Sequence, residues 1–280
     1  MPIDLPPHWI TGDSLTRDLG RQDPGLTTLP PRDWQHAIAR PGALTVIAGR
    51  PAMGRTAITL QLLRTFAVDG GRPAALVSTL EPSSTLVQRL LSGLSEVPVG
   101  RIRTRCLTDA ARAELACAEE RLTTSPLYLD CTRALTPEEL RERLLELHTR
   151  AGPLEIVIID DPEELHGDSP WPMLEALAVE LQCPVVATAR LGRSVELREE
   201  HRPRPKDLTD RLARRHASTL LLLYREEYYS TEPLEPGVME VFVEQREGPT
   251  WSLFRLECCF ATGTFHEVPE ADLSTDCEAC

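Results

Sequence analysis

The chain has almost no lysine, because Lys206 is the only one among its 30 basic residues. It also lacks any apolar run near the roughly 20 residues that a membrane-spanning helix needs. The first residues, with Asp4 and several prolines, do not have the basic-then-apolar order of a signal peptide. We therefore expect a cytoplasmic protein without a membrane segment. The net charge of −13 disfavours nucleic-acid binding over the whole surface, since that binding depends on basic side chains.

Eight cysteines are scattered along the chain, and in a reducing cytosol we expect free thiols rather than disulfides. Cys277 and Cys280 have the spacing of a zinc-binding pair. A structural zinc site needs four ligands, and few residues could complete it: Cys258, Cys259 and His266. A tail with unused thiols is the expected alternative.

The stretch from Gly49 to Thr56 has the spacing of a P-loop, the glycine-rich turn that binds nucleotide phosphates. Such a loop needs two glycines, a lysine for the β- and γ-phosphates, and Ser or Thr for magnesium. Arg55 stands where the lysine is required. The arginine-rich composition could account for it, but a planar guanidinium does not replace a compact ammonium in a tight phosphate site. An ordinary glycine turn of an α/β crossover is the alternative interpretation.

The residues around this loop predict an α/β fold. An apolar run at 44–48 predicts a buried strand before the loop, and the spacing at 57–63 predicts a helix after it. Strands and helices then alternate, which predicts a parallel sheet covered by helices. The predicted strands are 74–78, 127–130, 155–159 and 184–188, and the predicted helices are 83–94, 108–122, 136–148 and 172–181. Three later strands predict antiparallel hairpins at the sheet edge: 219–224, 239–245 and 251–257.

Two carboxylates follow predicted strands near the P-loop. Asp160 ends an apolar strand, the place where P-loop ATPases hold magnesium, although an acid there is also a common turn former. Glu81 comes just after strand 74–78, where it could act as a general base toward water. A solvated loop glutamate is the alternative for Glu81.

Taken in order, these motifs make the chain from about Gly25 to Glu267 resemble the RecA-like motor domain of the DnaB family of replicative DNA helicases. Ala48–Thr56 is similar to the family's Ala-Arg-Pro-x-Met-Gly-Lys-Thr, and Ser78–Ser83 to its Phe-Ser-Leu-Glu-Met-Ser, whose glutamate activates water. Further segments match the family in the same order: 87–91, 126–130, 183–187, 202–210, 223–229 and 245–250.

The resemblance implies a RecA-like P-loop NTPase core with ATP and Mg²⁺ as cofactors. Asp160 and Thr56 would hold the metal, Glu81 would be the base, and Arg246 would be an arginine finger that acts on a neighbouring subunit. The implied nucleotide-binding residues are Gly49, Pro51, Met53, Gly54, Arg55, Thr56 and Ala57. The implied candidate partners are single-stranded DNA, further copies of the chain and a replication protein.

We predict three parts: an irregular arm at 1–28 with a helical turn near 14–19, a DnaB-type ATPase domain at 29–270, and a tail at 271–280. Departures from the family concentrate where the chemistry would occur. Arg190 replaces the glutamine that senses the γ-phosphate, and Glu244 reverses the charge of a lysine. After Asp160, residues 161–164 replace Tyr-Leu-Gln-Leu by Asp-Pro-Glu-Glu.

These departures favour an ATP-binding domain whose hydrolysis is weak or lost. Removing an electrostatic stabiliser of a transition state typically costs about two to three orders of magnitude in rate. Two alternatives remain open. One is an active replicative helicase that works as a ring, and the other is a non-catalytic regulatory or partner-binding module on the same fold.

The segment 190–215 is the one basic island of the chain, with nine basic residues against five acids. A locally positive loop on an acidic protein is typical of single-strand binding. The candidate DNA-binding residues are Arg193, Arg198, Arg202, Arg204 and Lys206. A solvated face with paired charges is the alternative, because the segment has no Phe, Trp or Tyr for base stacking.

Overall fold

The computed structural model describes residues 5–12, 34, 38–246 and 252–268. Its strands are β1 (Ile10–Thr11), β2 (Leu44–Gly49), β3 (Ala74–Ser78), β4 (Leu127–Asp130), β5 (Ile156–Asp160), β6 (Val185–Arg190), β7 (Thr219–Tyr224), β8 (Val238–Gln245), β9 (Ser252–Cys259) and β10 (Thr264–Glu267). Its α-helices are α1 (Arg55–Leu63), α2 (Ser83–Ser95), α3 (Val99–Thr104), α4 (Asp109–Thr124), α5 (Pro137–Ala151), α6 (Trp171–Leu181) and α7 (Arg211–His216).

One sheet joins these strands in the order β1-β4-β3-β5-β6-β2-β7-β8-β9-β10. From β4 to β7 each strand is parallel to its neighbours. In contrast, β1 pairs antiparallel with β4, and β8 to β10 add antiparallel strands beyond β7. The predicted mostly parallel sheet with later antiparallel strands is therefore confirmed. The P-loop strand β2 lies inside the sheet, between β6 and β7.

Both faces of the central strands are buried, which explains their continuous apolar runs. Successive side chains of a strand point to opposite faces. In β5, Ile158 joins a core with Leu62 of α1 and Leu90 of α2, whereas Val157 joins a second core with Leu144 of α5. Helices α1, α2 and α4 thus cover one face, and α5, α6 and α7 cover the other.

Four short elements were not predicted. Strand β1 lies in the predicted arm and has two residues. Helices α3 and α7 have six residues each, too few to show helical periodicity. In β10 only Phe265 is buried, so no alternating apolar pattern predicts the strand. The predicted turn at 14–19 and the tail at 271–280 lie outside the described residues, and the domain boundaries stay a prediction.

The described cysteines are free thiols: Cys106, Cys117, Cys131, Cys183, Cys258 and Cys259. Among the described residues, no group of three His, Cys, Asp or Glu side chains could hold a metal ion. Cys277 and Cys280 are outside those residues, so their role is not decided. None of the described helices combines the length and the apolar composition that a membrane crossing requires.

Helix α5 begins with the predicted capping box. The Thr136 hydroxyl accepts from the Glu139 amide at 3.2 Å, and the Glu139 carboxylate accepts from the Thr136 amide at 2.9 Å. Replacing Thr136 by Ala should lower the free energy of unfolding by about 1 kcal/mol, because a first-turn amide loses its acceptor. Chemical denaturation measures this loss.

Thr149→Ala is the matched control, because Thr149 is exposed near the end of the same helix and its hydroxyl donates to the Leu145 carbonyl rather than capping the first turn. It should change stability by less than about 0.5 kcal/mol. Equal losses in the two variants would contradict the capping role of Thr136.

Candidate nucleotide site

The P-loop joins the end of β2 to the start of α1. Gly54, at φ 94°, has the left-handed backbone that favours glycine, and a Cβ there would lie 3.0 Å from Met239 Cε and 3.1 Å from Phe260 Cε1. No described side chain caps α1. The first-turn amides therefore have no acceptor within the helix and could bind an anion.

Thr56 and Asp160 are brought together at the carboxyl edge of the sheet. The Thr56 hydroxyl donates to Asp160 Oδ2 at 3.0 Å, and the Thr188 hydroxyl donates to Asp160 Oδ1, also at 3.0 Å. Burial, and next the charge of Asp161, raise the pKa of Asp160 to about 6, although the two hydroxyl bonds and Arg55 act the other way. A hydroxyl beside a carboxylate is the oxygen donor set that Mg²⁺ prefers.

Arg55 does not extend as a free cation. Its Nη1 donates to Asp161 Oδ1 at 3.2 Å and to the Ala189 carbonyl at 3.1 Å, and its side chain is 14% exposed. The residue at the phosphate-lysine position is therefore held by an acid of this chain, at the ends of β5 and β6.

Arg190, the predicted phosphate sensor, is also bound to acids. Its Nη2 lies 2.6 Å from Glu164 Oε1, and its Nε lies 3.6 Å from Asp161 Oδ1 and 3.8 Å from Glu163 Oε2. Burial lowers the pKa of Arg190, but the three acids outweigh it and leave that pKa above its ordinary value. We call this group the arginine–acid cluster: Arg55, Arg190, Asp161, Glu163 and Glu164.

The pairing of the two arginines with the acids at 161–164 is not among the predictions made from the sequence, and no role was expected for Asp161, Glu163 or Glu164. The sequence did contain a signal for this pairing. Arg190 ends β6 and the acids at 161–164 follow β5, the neighbouring parallel strand, so their opposite charges are expected to lie close together.

Glu81 reaches the same region from the loop after β3. Its Oε1 lies 3.1 Å from Arg89 Nη1. Its Oε2 is buried and accepts no hydrogen bond within the described residues. A buried carboxylate oxygen without a donor is costly, so this atom suits a water molecule or another donor at the site.

A cavity of about 440 Å³ opens over the P-loop, large enough for a nucleotide-sized ligand. Five of the seven predicted nucleotide-binding residues line it: Pro51, Gly54, Arg55, Thr56 and Ala57. Glu81 and Asp161 also line it. Met53 is buried in the core, and Gly49 ends β2. These two residues support the loop from outside the cavity lining.

The opposite wall was missed by sequence reasoning. It consists of Arg64, of α3 residues Val99 and Arg103, and of the β9–β10 turn at 260–263. Arg225 connects this turn to the P-loop, because its guanidinium lies 3.5 Å from the centre of the Phe260 ring and its Nη1 donates to the Ala52 carbonyl at 2.9 Å. Arg225 lies in the matched segment 223–229, but no motif marks Arg64, Val99, Arg103 or the turn at 260–263, which are distant in the sequence.

Comparisons with known proteins show which family this chain belongs to. Residues 35–260 match the family model of the DnaB-like helicase C terminal domain. The chain belongs to this family. It is 31% identical over 224 residues to the replicative DNA helicase DnaB of Buchnera aphidicola subsp. Schizaphis graminum, which covers 75% of this chain and 48% of that protein. The chain thus spans about half the length of the curated relatives it matches.

Two solved structures have the same fold. One is a DnaB-like replicative helicase studied for its interactions with primase, with a TM-score of 0.75 and 23% identity over 81% of this chain and 57% of that chain. The other is an ATPase domain, with a TM-score of 0.76 and 23% identity over 81% of this chain and 85% of that chain. The RecA-like core expected from the sequence is therefore present in this DnaB-like domain.

The arginine-finger candidate of the DnaB-like domain lies away from its own cavity. The Arg246 amide donates to the Ser218 carbonyl, just before β7 begins and hence at the opposite end of the sheet from the P-loop. Its Nη1 lies 2.9 Å from Glu175 Oε1. Nearby, Glu244 is held by Arg214 at 2.6 Å. Arg246 therefore lies at the end of the sheet opposite the P-loop of its own chain.

The basic island of this DnaB-like domain is largely neutralised by acids. Arg198 pairs with Asp207, Arg202 with Glu240 and Arg204 with Glu200, at 2.6 to 2.9 Å. Arg193 and Lys206 are exposed, and neither has an ion pair within the described part of the chain. The paired-charge interpretation therefore describes three of the five candidate DNA-binding residues, and two remain available to a phosphate backbone.

The raised pKa of Asp160 predicts a pH dependence of stability in protein without metal. The carboxyl group holds its proton more tightly in the folded than in the unfolded chain, so the free energy of unfolding falls as the pH rises from about 4 to about 6. Asp160→Asn should remove this fall and be more stable than the natural chain above pH 6, by up to about 3 kcal/mol. Denaturation at several pH values in chelator measures both.

Asp168→Asn is the control, because Asp168 is an exposed carboxylate in the loop between β5 and α6. It should leave the pH profile unchanged. A stability difference for Asp160→Asn that is the same at pH 4 and pH 8 would contradict the raised pKa.

Proposed function

We propose that this chain is a DnaB-like ATP-binding domain, related to ATP-driven DNA unwinding, that binds ATP with Mg²⁺ and hydrolyses it weakly or not at all. The observation that carries the proposal is the hydrogen bonding of Arg55 to Asp161 and Ala189. A retained P-loop supports binding. A P-loop cation already held by an acid supports slow turnover.

The residues present fit the nucleotide and its metal. Amides of residues 54–57 would hold phosphate oxygens, and Thr56 with Asp160 would hold Mg²⁺, which when bound neutralises developing charge on the phosphates. Glu81 Oε2, which has no hydrogen-bond partner among the described residues, would orient water and accept its proton. Binding thus depends on groups that the chain retains.

Slow hydrolysis is expected because the arginines that would stabilise the phosphates are already paired with acids. Arg55 and Arg190 stand at positions that the family directs toward the phosphates, and each is bound to acids of this chain. Arg246 is bound to Glu175. An arginine finger supplied by a neighbour is worth about 10³ to 10⁵ in rate, so the pairing of Arg246 with Glu175 would remove a large part of motor activity.

Two other functions compete with this one. An active ring helicase is supported by the relatives, which are replicative DNA helicases, and by the place of Arg246 at the sheet end opposite its own cavity. A non-catalytic regulatory module is supported by the arginine–acid cluster. Because a solved relative was studied with primase, a replication protein of that kind is a candidate partner. The cytoplasm remains the expected location.

An ATPase assay with and without single-stranded DNA, on protein whose mass is measured by light scattering, tests the proposal. Typical enzymes turn over about 10 times per second, so a loss of two to three orders predicts about 0.01 to 0.1 per second or less. DNA should not restore motor rates. Rapid DNA-stimulated hydrolysis by a particle with the mass of a ring would establish the helicase instead.

Nucleotide binding itself is tested by thermal unfolding with ATP in the presence and absence of Mg²⁺. ATP at a hundredfold excess over its dissociation constant should stabilise the fold by about 2.7 kcal/mol. Thr56→Val should lose the Mg²⁺-dependent part of this gain, because it removes the hydroxyl beside Asp160, whereas Thr56→Ser should keep it. If ATP gives no stabilisation of the natural chain, the site does not bind nucleotide.

A further inference from the structure

Two arginines converge on one carboxylate oxygen. Asp161 Oδ1 lies 3.2 Å from Arg55 Nη1 and 3.6 Å from Arg190 Nε. The family resemblance places these two positions at the β- and γ-phosphates of a nucleotide. In this chain Asp161 supplies the negative charge that both arginines contact.

The backbone holds this carboxylate in place. Asp161 has a left-handed conformation, with φ at 56°, which is uncommon for a residue with a side chain. Its amide donates to the Thr188 hydroxyl at 2.7 Å, and its carbonyl accepts from the Thr79 hydroxyl at 2.7 Å. Hydrogen bonds from both neighbouring strands therefore fix Asp161 in a conformation that residues seldom adopt without such support.

The fixed carboxylate faces the cavity. Asp161 lines the wall above the P-loop, and its side chain is only 9% exposed. Glu164 Oε1 lies 2.6 Å from Arg190 Nη2, so Arg190 has a closer acidic partner than Asp161, whereas Arg55 pairs with Asp161. The Asp161 carboxylate would therefore repel the additional negative charge of a terminal phosphate in this cavity.

We propose that Asp161 determines nucleotide selectivity, as an internal anion that competes with a terminal phosphate, so that the site holds a nucleoside diphosphate more tightly than a triphosphate. This inference rests on the proposed nucleotide site. A diphosphate can use the P-loop amides, Thr56 and Asp160 and leave the Arg55–Asp161 pair intact. A triphosphate has to separate that pair, which leaves the buried Asp161 carboxylate with the more distant Arg190 Nε, at 3.6 Å, in place of two cations. Loss of a buried ion pair is costly.

The test is calorimetric titration of the natural chain and of Asp161→Asn with Mg²⁺ and either ADP or the slowly hydrolysed analogue AMP-PNP. The natural chain should bind ADP at least about tenfold more tightly than AMP-PNP. Asp161→Asn should bind AMP-PNP at least about tenfold more tightly than the natural chain does, with less than about a threefold change for ADP. Asparagine tolerates a positive φ and keeps an acceptor for Arg55, so the variant should fold.

Glu164→Gln is the matched control, because it also removes one negative charge from the cluster, at a residue bound to Arg190 and not to Arg55. It should change the affinity for either nucleotide by less than about threefold, since the Arg55–Asp161 pair remains. Equal gains in Glu164→Gln and Asp161→Asn would show a general charge effect and overturn the role of Asp161.

The natural chain alone also decides the matter, whatever the variants do. If it binds both nucleotides with equal affinity, or AMP-PNP more tightly, the selectivity is wrong while the nucleotide site stands. If it binds neither nucleotide, the proposed function and the selectivity fail together.

Discussion

The parallel pairing of β2, β3, β5 and β6 is the constraint on which the site depends. Parallel strands end at one edge of a sheet, so the P-loop after β2, Glu81 after β3, Asp160 at the end of β5 and Arg190 at the end of β6 meet there. The apolar side chains on both faces hold the register. A shift of one residue would turn the Asp160 side chain to the other face and separate it from Thr56.

Charge adds a second constraint at this edge, because a buried charged group without a partner strongly destabilises a fold. Arg55 and Arg190 can occupy this edge because Asp161, Glu163 and Glu164 form ion pairs with them. Replacing Asp161 alone by the tyrosine of the family would leave Arg55 without its carboxylate partner. The departures at Arg55, Arg190 and residues 161–164 are therefore linked by ion pairs, whereas Glu244 pairs separately with Arg214.

The antiparallel strands have a structural part in the site as well as extending the sheet. The turn between β9 and β10 brings Phe260 over the cavity, and Arg225, after β7, contacts both that ring and the Ala52 carbonyl of the P-loop. One side chain thereby contacts both the hairpin and the phosphate-binding loop. A nucleotide in the cavity would contact both parts of the fold.

The sequence by itself determined the alternation of strands and helices, the P-loop, the strand ending in Asp160 and the family, because periodicity and motif spacing express local geometry. It did not reveal α3, α7 or β10, which are too short or too polar to show a period. Only the tertiary structure decided the partners of the charged groups. Arg55 and Asp161 are 106 positions apart and Arg246 and Glu175 are 71 apart, so strand order and side-chain reach join them, and no local pattern does.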